Sequence, residues 1–261
     1  LDEFMMDNCA TVGTPLPAKT LDAASVESPM LDVKKFRYAR LVGKLAYASN
    51  CTRPDISAAV NFLTRFMSKP TEYTWQLAKR VLRYVKGTID YSLIYHGSSD
   101  PIPICWQDAS FADGPGRRSR TGFVILMCDA AVAWGSRLQV TVCLSTVEAE
   151  YVALCAAAQE LKYILQLLES FGVVIHRPVL VHEDNKGCVF LAMNMSTTNK
   201  SKHIDIKYHF IRQCIREKKM TVVWCETSQM IADILNKFSL SSAQHLTLAL
   251  KMMGGALASR S

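Results

Sequence analysis

The chain has 261 residues, 49% of them hydrophobic, and a formal charge of +7 from 30 Lys and Arg against 23 Asp and Glu. Length and apolar content supply a sizeable core for one large or two smaller domains, which excludes a disordered or fibrous chain, while the cation excess suits a polyanionic partner without requiring one. Nine cysteines without a C-x-x-C pair argue against zinc or redox work and for a reducing compartment, and no apolar run of about eighteen residues or signal-peptide start is present, so no membrane partner is expected.

Residues 1–30 carry Thr14-Pro15-Leu16-Pro17 and an Ala/Ser-rich stretch ending at Pro29, and are expected to be an extended connector. The first residue is Leu1, which suggests a piece of a longer precursor or polyprotein. From Asp32 to Met67 the pattern is helical, with Phe36, Leu41, Leu45 and Tyr47 before a break at Thr52-Arg53-Pro54-Asp55. A proline in the first turn then launches Ile56, Val60, Leu63 and Phe66 at spacings of three or four. A third helix is predicted from Thr71 to Lys86, with Trp75, Ala78, Leu82 and Val85 on one face and Gly87 at its end. Residues 31–100 therefore read as a small helical domain.

After Ser98-Ser99-Asp100-Pro101 the texture changes to short strands, predicted at Ile102–Asp108, Thr121–Cys128 and Ala131–Ser136. A long amphipathic helix, Val147–Phe171, follows, stopped by Gly172. Then come a strand at Val179–Glu183, a short helix at Asn185–Met193, a basic helix at His203–Lys218, a strand at Thr221–Cys225 and a final helix near Gln229–Lys237. This order predicts an α/β domain over residues 101–240, a mixed five-stranded sheet flanked by helices. Residues 241–261 are expected to be a C-terminal tail, weakly helical from Ala243 to Met253.

Four acids recur at strand ends and helix starts. Asp108 closes the first strand, Glu150 lies in the first turns of the long helix, Asp184 ends the fourth strand and Asp233 opens the final helix. In such a sheet these points converge on one edge. Converging carboxylates repel unless cations neutralise them, and oxygen-only ligation selects Mg²⁺ or Mn²⁺. Two such ions about 3.5–4 Å apart are suited to phosphodiester hydrolysis.

The stretch Ser145-Thr146-Val147-Glu148-Ala149-Glu150-Tyr151-Val152-Ala153-Leu154 resembles the S-x-x-E-A-E-Y-x-A-L signature of the ribonuclease H domains of Copia-type retrotransposon polyproteins. Glu183-Asp184-Asn185, the run Lys202-His203-Ile204-Asp205-Ile206-Lys207-Tyr208-His209 and Ala232-Asp233-Ile234 are similar to that family too. Upstream, Leu41-Val42-Gly43-Lys44-Leu45, Thr52-Arg53-Pro54-Asp55-Ile56 and Arg80-Val81-Leu82-Arg83-Tyr84-Val85-Lys86-Gly87-Thr88 resemble its thumb and connection. The resemblance, over about residues 5–240, implies a ribonuclease H-like fold. It also implies metal-dependent endonucleolytic cleavage of the RNA strand of RNA–DNA hybrids, with Asp108, Glu150, Asp184 and Asp233 as catalytic and metal-binding residues. Where the family writes D-A-D, this chain has Asp108-Ala109-Ser110, so the metal role stays with Asp108. The loop from Glu226 to Ile231 lacks the mobile His of many relatives. No Asp-Asp pair of a polymerase palm is present, so polymerisation is not expected and a reverse transcriptase palm domain becomes the implied partner.

Hybrid binding is expected to draw on Arg117, Arg118 and Arg120 before the second strand and on Lys200, Lys202 and Lys207 around the basic helix, as phosphate contacts across a minor groove lined by 2′-hydroxyls. Such a protein would work inside the cell, in cytoplasm or nucleus. An alternative comes from Arg80-Val81-Leu82-Arg83, which spells R-x-L-R, the string by which secreted effectors of filamentous plant pathogens are recognised. On that reading the chain would be secreted, delivered into plant host cells and act on host proteins to suppress defence or cell death without catalysis.

Overall fold

The computed structural model describes residues 1–18, 20, 27–98, 101–173, 175, 178–194 and 202–255, the side chains of 202–205 excepted. The chain divides into two units, Leu1–Ile94 with Lys237–Ser261, and Tyr95–Asn236.

The first unit is helical: α1 (Tyr38–Cys51), α2 (Ser57–Thr64), α3 (Glu72–Gly87) and α7 (Ser242–Met252), named in chain order with three further helices of the second unit. Tyr38, Leu41, Val42 and Leu45 line the buried side of α1, whereas Tyr47 is 75% exposed. Two residues beyond Leu45 is about 200° of helical rotation, which turns Tyr47 away from the face it was expected to share. Thr71 caps α3 by accepting from the Thr74 N–H at 3.3 Å. The expected connector and tail both contribute to this unit. Met6 and Leu16 join its core, and α7 buries His245, Leu248, Ala249 and Met252.

Between α1 and α2 the chain runs through a 3-10 turn, Pro54–Ile56, around a buried ion pair. Arg53 grips Asp55 with two parallel hydrogen bonds, Nε to Oδ1 at 2.9 Å and Nη2 to Oδ2 at 2.8 Å. Its Nη1 donates to the Thr88 carbonyl at 3.1 Å, and Tyr84 Oη donates to Asp55 Oδ2 at 2.8 Å. The Thr-Arg-Pro-Asp break is thus a closed polar knot that ties the end of α1 to the end of α3.

His245 packs edge-on against Tyr84, ring centroids 5.2 Å apart, and burial holds its pKa down to about 4, against the opposing pull of Asp55. A histidine whose folded pKa lies below its unfolded value of about 6.5 stabilises the fold above that value, and the contribution disappears as pH falls toward the folded pKa. Between about pH 6.5 and 4 the first unit should therefore lose up to about 3 kcal/mol. Urea titrations of wild type and His245→Phe at both pH values check this, and an equal acid loss in the two proteins would remove His245 as its cause.

The second unit is a five-stranded sheet in the order β3-β2-β1-β4-β5. Its strands are β1 (Ile104–Ser110), β2 (Arg120–Met127), β3 (Ala130–Leu138), β4 (Val179–Glu183) and β5 (Met220–Trp224). The first three form an antiparallel meander, whose β2–β3 hairpin turns through Cys128 (φ 49°) and Asp129 (φ 71°). Positive φ at both central residues gives a turn whose twist matches the strands. β4 joins β1 in parallel, after a crossover through α4 (Thr146–Ser170), and β5 joins β4 in parallel. Helices α5 (Lys186–Met193) and α6 (Lys202–Arg216) complete the flanks. Tyr151, Leu154 and Leu161 of α4 meet Cys105, Ile125, Val181 and Val222 of the sheet in one core. This is the mixed five-stranded sheet flanked by helices that the element order implied.

One predicted element takes another form. The final helix expected near Gln229–Lys237 is two 3-10 turns, Thr227–Gln229 and Ile231–Leu235. All five residues of the second turn are buried, so no solvent face is left for an amphipathic α-helix. The turn seats against β2 because position 122 is glycine: a Cβ there would stand 2.9 Å from the Ala232 carbonyl oxygen and 3.1 Å from the Leu235 Cβ. Gly122→Ala is expected to cost about 1–3 kcal/mol through this overlap. Thermal unfolding measures it, and an unchanged Tm would show that the turn moves aside freely.

Candidate metal centre

The parallel pairing of β1 with β4 brings two strand ends to one edge, and the start of α4 faces it. Asp108, paired in register with Gly122, is 2% exposed and Asn236 Nδ2 donates to its Oδ2 at 2.6 Å. Ser145 accepts from the Glu148 N–H at 3.2 Å and Glu148 Oε2 accepts from the Leu144 N–H at 2.8 Å, which fixes the start of α4. One turn on, Glu150 is buried. Asp184 follows β4, half-buried, and Thr227 Oγ1 donates to its Oδ2 at 2.8 Å.

Asp108, Glu150 and Asp184 each offer a carboxylate oxygen, and these atoms lie within 4.8 Å of one another. Asp233 is buried in the 3-10 turn beside them but is not part of that set. Its charge is felt in the same neighbourhood: burial first, then the charges of Asp184, Glu183, Asp108 and Asp233, push the Cys225 thiol up to about 11. Glu150 feels the crowding most. Burial, then the charges of Asp108, Glu183 and Asp184, push its carboxyl up to about 11, and its Oε2 has no hydrogen-bond partner among the described residues. A desolvated, unpartnered carboxylate oxygen between two other carboxylates fits a hard divalent cation, which supplies the missing opposite charge.

Glu183 is a fourth inward-facing acid that the sequence reading passed over. It is fully buried, accepts from Gln107 Nε2 through Oε2 and from the Asn185 N–H at 2.9 Å through Oε1, and burial pushes it up to about 8. Strand alternation could have found it, since Val179, Val181 and Glu183 share the inward face of β4. Asn236 and Thr227 carried no comparable signal, because their role depends on where the 3-10 turns fold.

Of the cationic residues, Arg117 and Arg118 are exposed as expected. Arg120 is not in the loop: it begins β2, opposite Ser110 on one side and Leu138 on the other, 1% exposed, with Asp113 Oδ2 3.9 Å from its Nε. A guanidinium that is buried in the fold cannot reach a groove, so Arg120 is withdrawn as a phosphate contact. Lys207 is half-buried and lines a cavity of about 620 Å³ with Arg137, Val152, Cys155 and Phe210. Lys202 lies in α6, its side chain outside the described residues, and Lys200 lies outside them altogether. In α3, Val81 and Leu82 are core residues, Arg80 Nη2 donates to Thr14 Oγ1 at 3.0 Å and Arg83 Nε donates to the Ala10 carbonyl at 2.7 Å.

No family model matches the chain. It is 35% identical over 243 residues, 91% of its length, to the retrovirus-related Pol polyprotein from transposon TNT 1-94 of Nicotiana tabacum. The chain is a homologue of plant retrotransposon Pol polyproteins over most of its length. It spans 18% of that polyprotein's length. A second relative is secreted RxLR effector protein 161 of Plasmopara viticola, 40% identical over 129 residues, 49% of this chain and 91% of that protein. Among solved structures, the LC11-RNase H1 isolated from compost matches 55% of this chain and 98% of its own, at 18% identity and a TM-score of 0.42. No helix among the described residues is long and apolar enough to cross a membrane.

Proposed function

We propose that the second unit is a divalent-metal-dependent ribonuclease H-type endonuclease that cuts the RNA strand of RNA–DNA hybrids. The observation that carries this reading is the set of Asp108, Glu150 and Asp184 oxygens within 4.8 Å of one another. These three would hold Mg²⁺ or Mn²⁺ in a two-ion site, with Asp233 beside them. Bound there, such ions neutralise the carboxylates, acidify water and stabilise a leaving oxygen. The protein's own part is to fix the ligands. Asn236 orients Asp108, Thr227 orients Asp184, and the buried turn 231–235 closes the floor. Arg117 and Arg118 offer exposed cations for hybrid phosphates. The first unit is read as thumb and connection, joined in the polyprotein to a reverse transcriptase palm domain, with the product working in cytoplasm or nucleus. Purified chain should cut a hybrid labelled on its RNA strand in Mg²⁺ or Mn²⁺, stop in EDTA, and spare the DNA strand. A folded protein that leaves the hybrid intact in both metals would end this reading.

The similarity to secreted RxLR effector protein 161 favours a second reading, a secreted effector that enters plant host cells and acts on host proteins without catalysis. The R-x-L-R string itself argues against it, since its middle residues are core and both arginines are bonded to residues 10–14. Expression of wild type and Asp108→Asn in plant tissue separates the two: equal suppression of cell death by both supports the effector, and no suppression by either removes it.

A further inference from the structure

We infer that Trp224 and Lys186 form a nucleic-acid contact at the rim of the acid cluster, the indole packing on a base or sugar and the ammonium meeting a phosphate. The inference rests on the nuclease reading. Trp224 is the last residue of β5, in register with Glu183, and is 46% exposed. An exposed indole is ordinarily free to rotate, but this one is fixed: its Nε1–H donates to the main-chain oxygen of Asp184 at 3.0 Å. The ring is therefore held beside a residue of the acid cluster. Lys186, in the first turn of α5, places its ammonium 4.6 Å from the ring centroid and makes no ion pair among the described residues. One helical turn further, Phe190 is 65% exposed.

An oriented aromatic ring, a cation at that ring and a second exposed ring on the same helix as the cation match what a nucleic-acid strand offers, since bases stack on aromatics whatever their identity and phosphates meet lysine. An acidic protein segment would find the same lysine, but it offers no base to stack on the indole. A strand with one phosphate at the cluster would pass this corner.

The test is fluorescence anisotropy of a labelled RNA–DNA hybrid with wild type, Trp224→Ala, Trp224→Phe and Lys186→Ala, in EDTA so that metal ligation by Asp184 plays no part. Trp224→Ala should weaken binding by about fivefold to a hundredfold. Trp224→Phe, which keeps a ring but cannot donate to Asp184, should retain most of the affinity. Lys186→Ala should lower the slope of log K against log salt by about 1. Mn²⁺ uptake followed by calorimetry should be the same in wild type and Lys186→Ala. Hybrid affinity unchanged in Trp224→Ala overturns the inference, as does a loss seen only when Mn²⁺ is present, which would make Trp224 a support for Asp184 alone. A wild-type chain that binds no hybrid overturns the nuclease reading itself.

Discussion

Asp108→Asn should reduce hybrid cleavage by on the order of 10³-fold, about 4 kcal/mol of transition-state stabilisation, with little change in Tm. The substitution removes one negative charge from a site where three carboxylates crowd within 4.8 Å, so on the proposed reading it takes away a cation ligand and also relieves repulsion. The amide oxygen it introduces can still accept from Asn236, which preserves the packing at the end of β1. Loss of a merely structural carboxylate would move stability and leave the rate alone. Single-turnover cleavage alongside thermal unfolding distinguishes the outcomes, and activity unaltered by the change would remove Asp108 from the metal site. Asn236→Ala should give a smaller defect of the same kind, because it releases the orientation of Asp108 without removing a ligand.

Asp55→Ala should destabilise the first unit by about 3–5 kcal/mol. The change leaves the Arg53 guanidinium, 7% exposed, with no carboxylate in a site closed by Thr88 and Tyr84. Since domains are stable by only about 5–15 kcal/mol in total, a loss of that size should bring its unfolding midpoint down sharply in urea. The double variant Arg53→Met with Asp55→Leu should recover much of the loss, because the cost lies in the stranded charge more than in the missing contact. A single variant as stable as wild type would show that water reaches the guanidinium. Both experiments are independent: the first reads chemistry in one unit, the second stability in the other.

The sequence made the sheet legible because its strands and long helix obey their own periods. The predicted strand Val179–Glu183 has the observed bounds, and the helix expected from Val147 begins one residue earlier, at Thr146, behind the Ser145 cap. Asp108, Glu150 and Asp184 could be picked out because each falls near the end or start of such an element. Tyr47 and Arg120 misled for a shared reason. Their residue types suggest core and surface respectively, yet the helical phase turns one outward and the packing around the start of β2 buries the other.

What the sequence determined by itself is the order of elements, the family they belong to and the acids that mark the strand ends, since these depend on local periodicity and on short contiguous motifs. Tertiary structure alone decided that Asp233 rides on a 3-10 turn admitted by a glycine on β2, that Asn236 and Thr227 orient the carboxylates, that Glu183 sits buried behind them, and that residues 1–18 and α7 complete a helical core. Those facts arise from contacts between segments far apart along the chain, where the geometry of close packing, and not the pattern of any one stretch, fixes which groups meet.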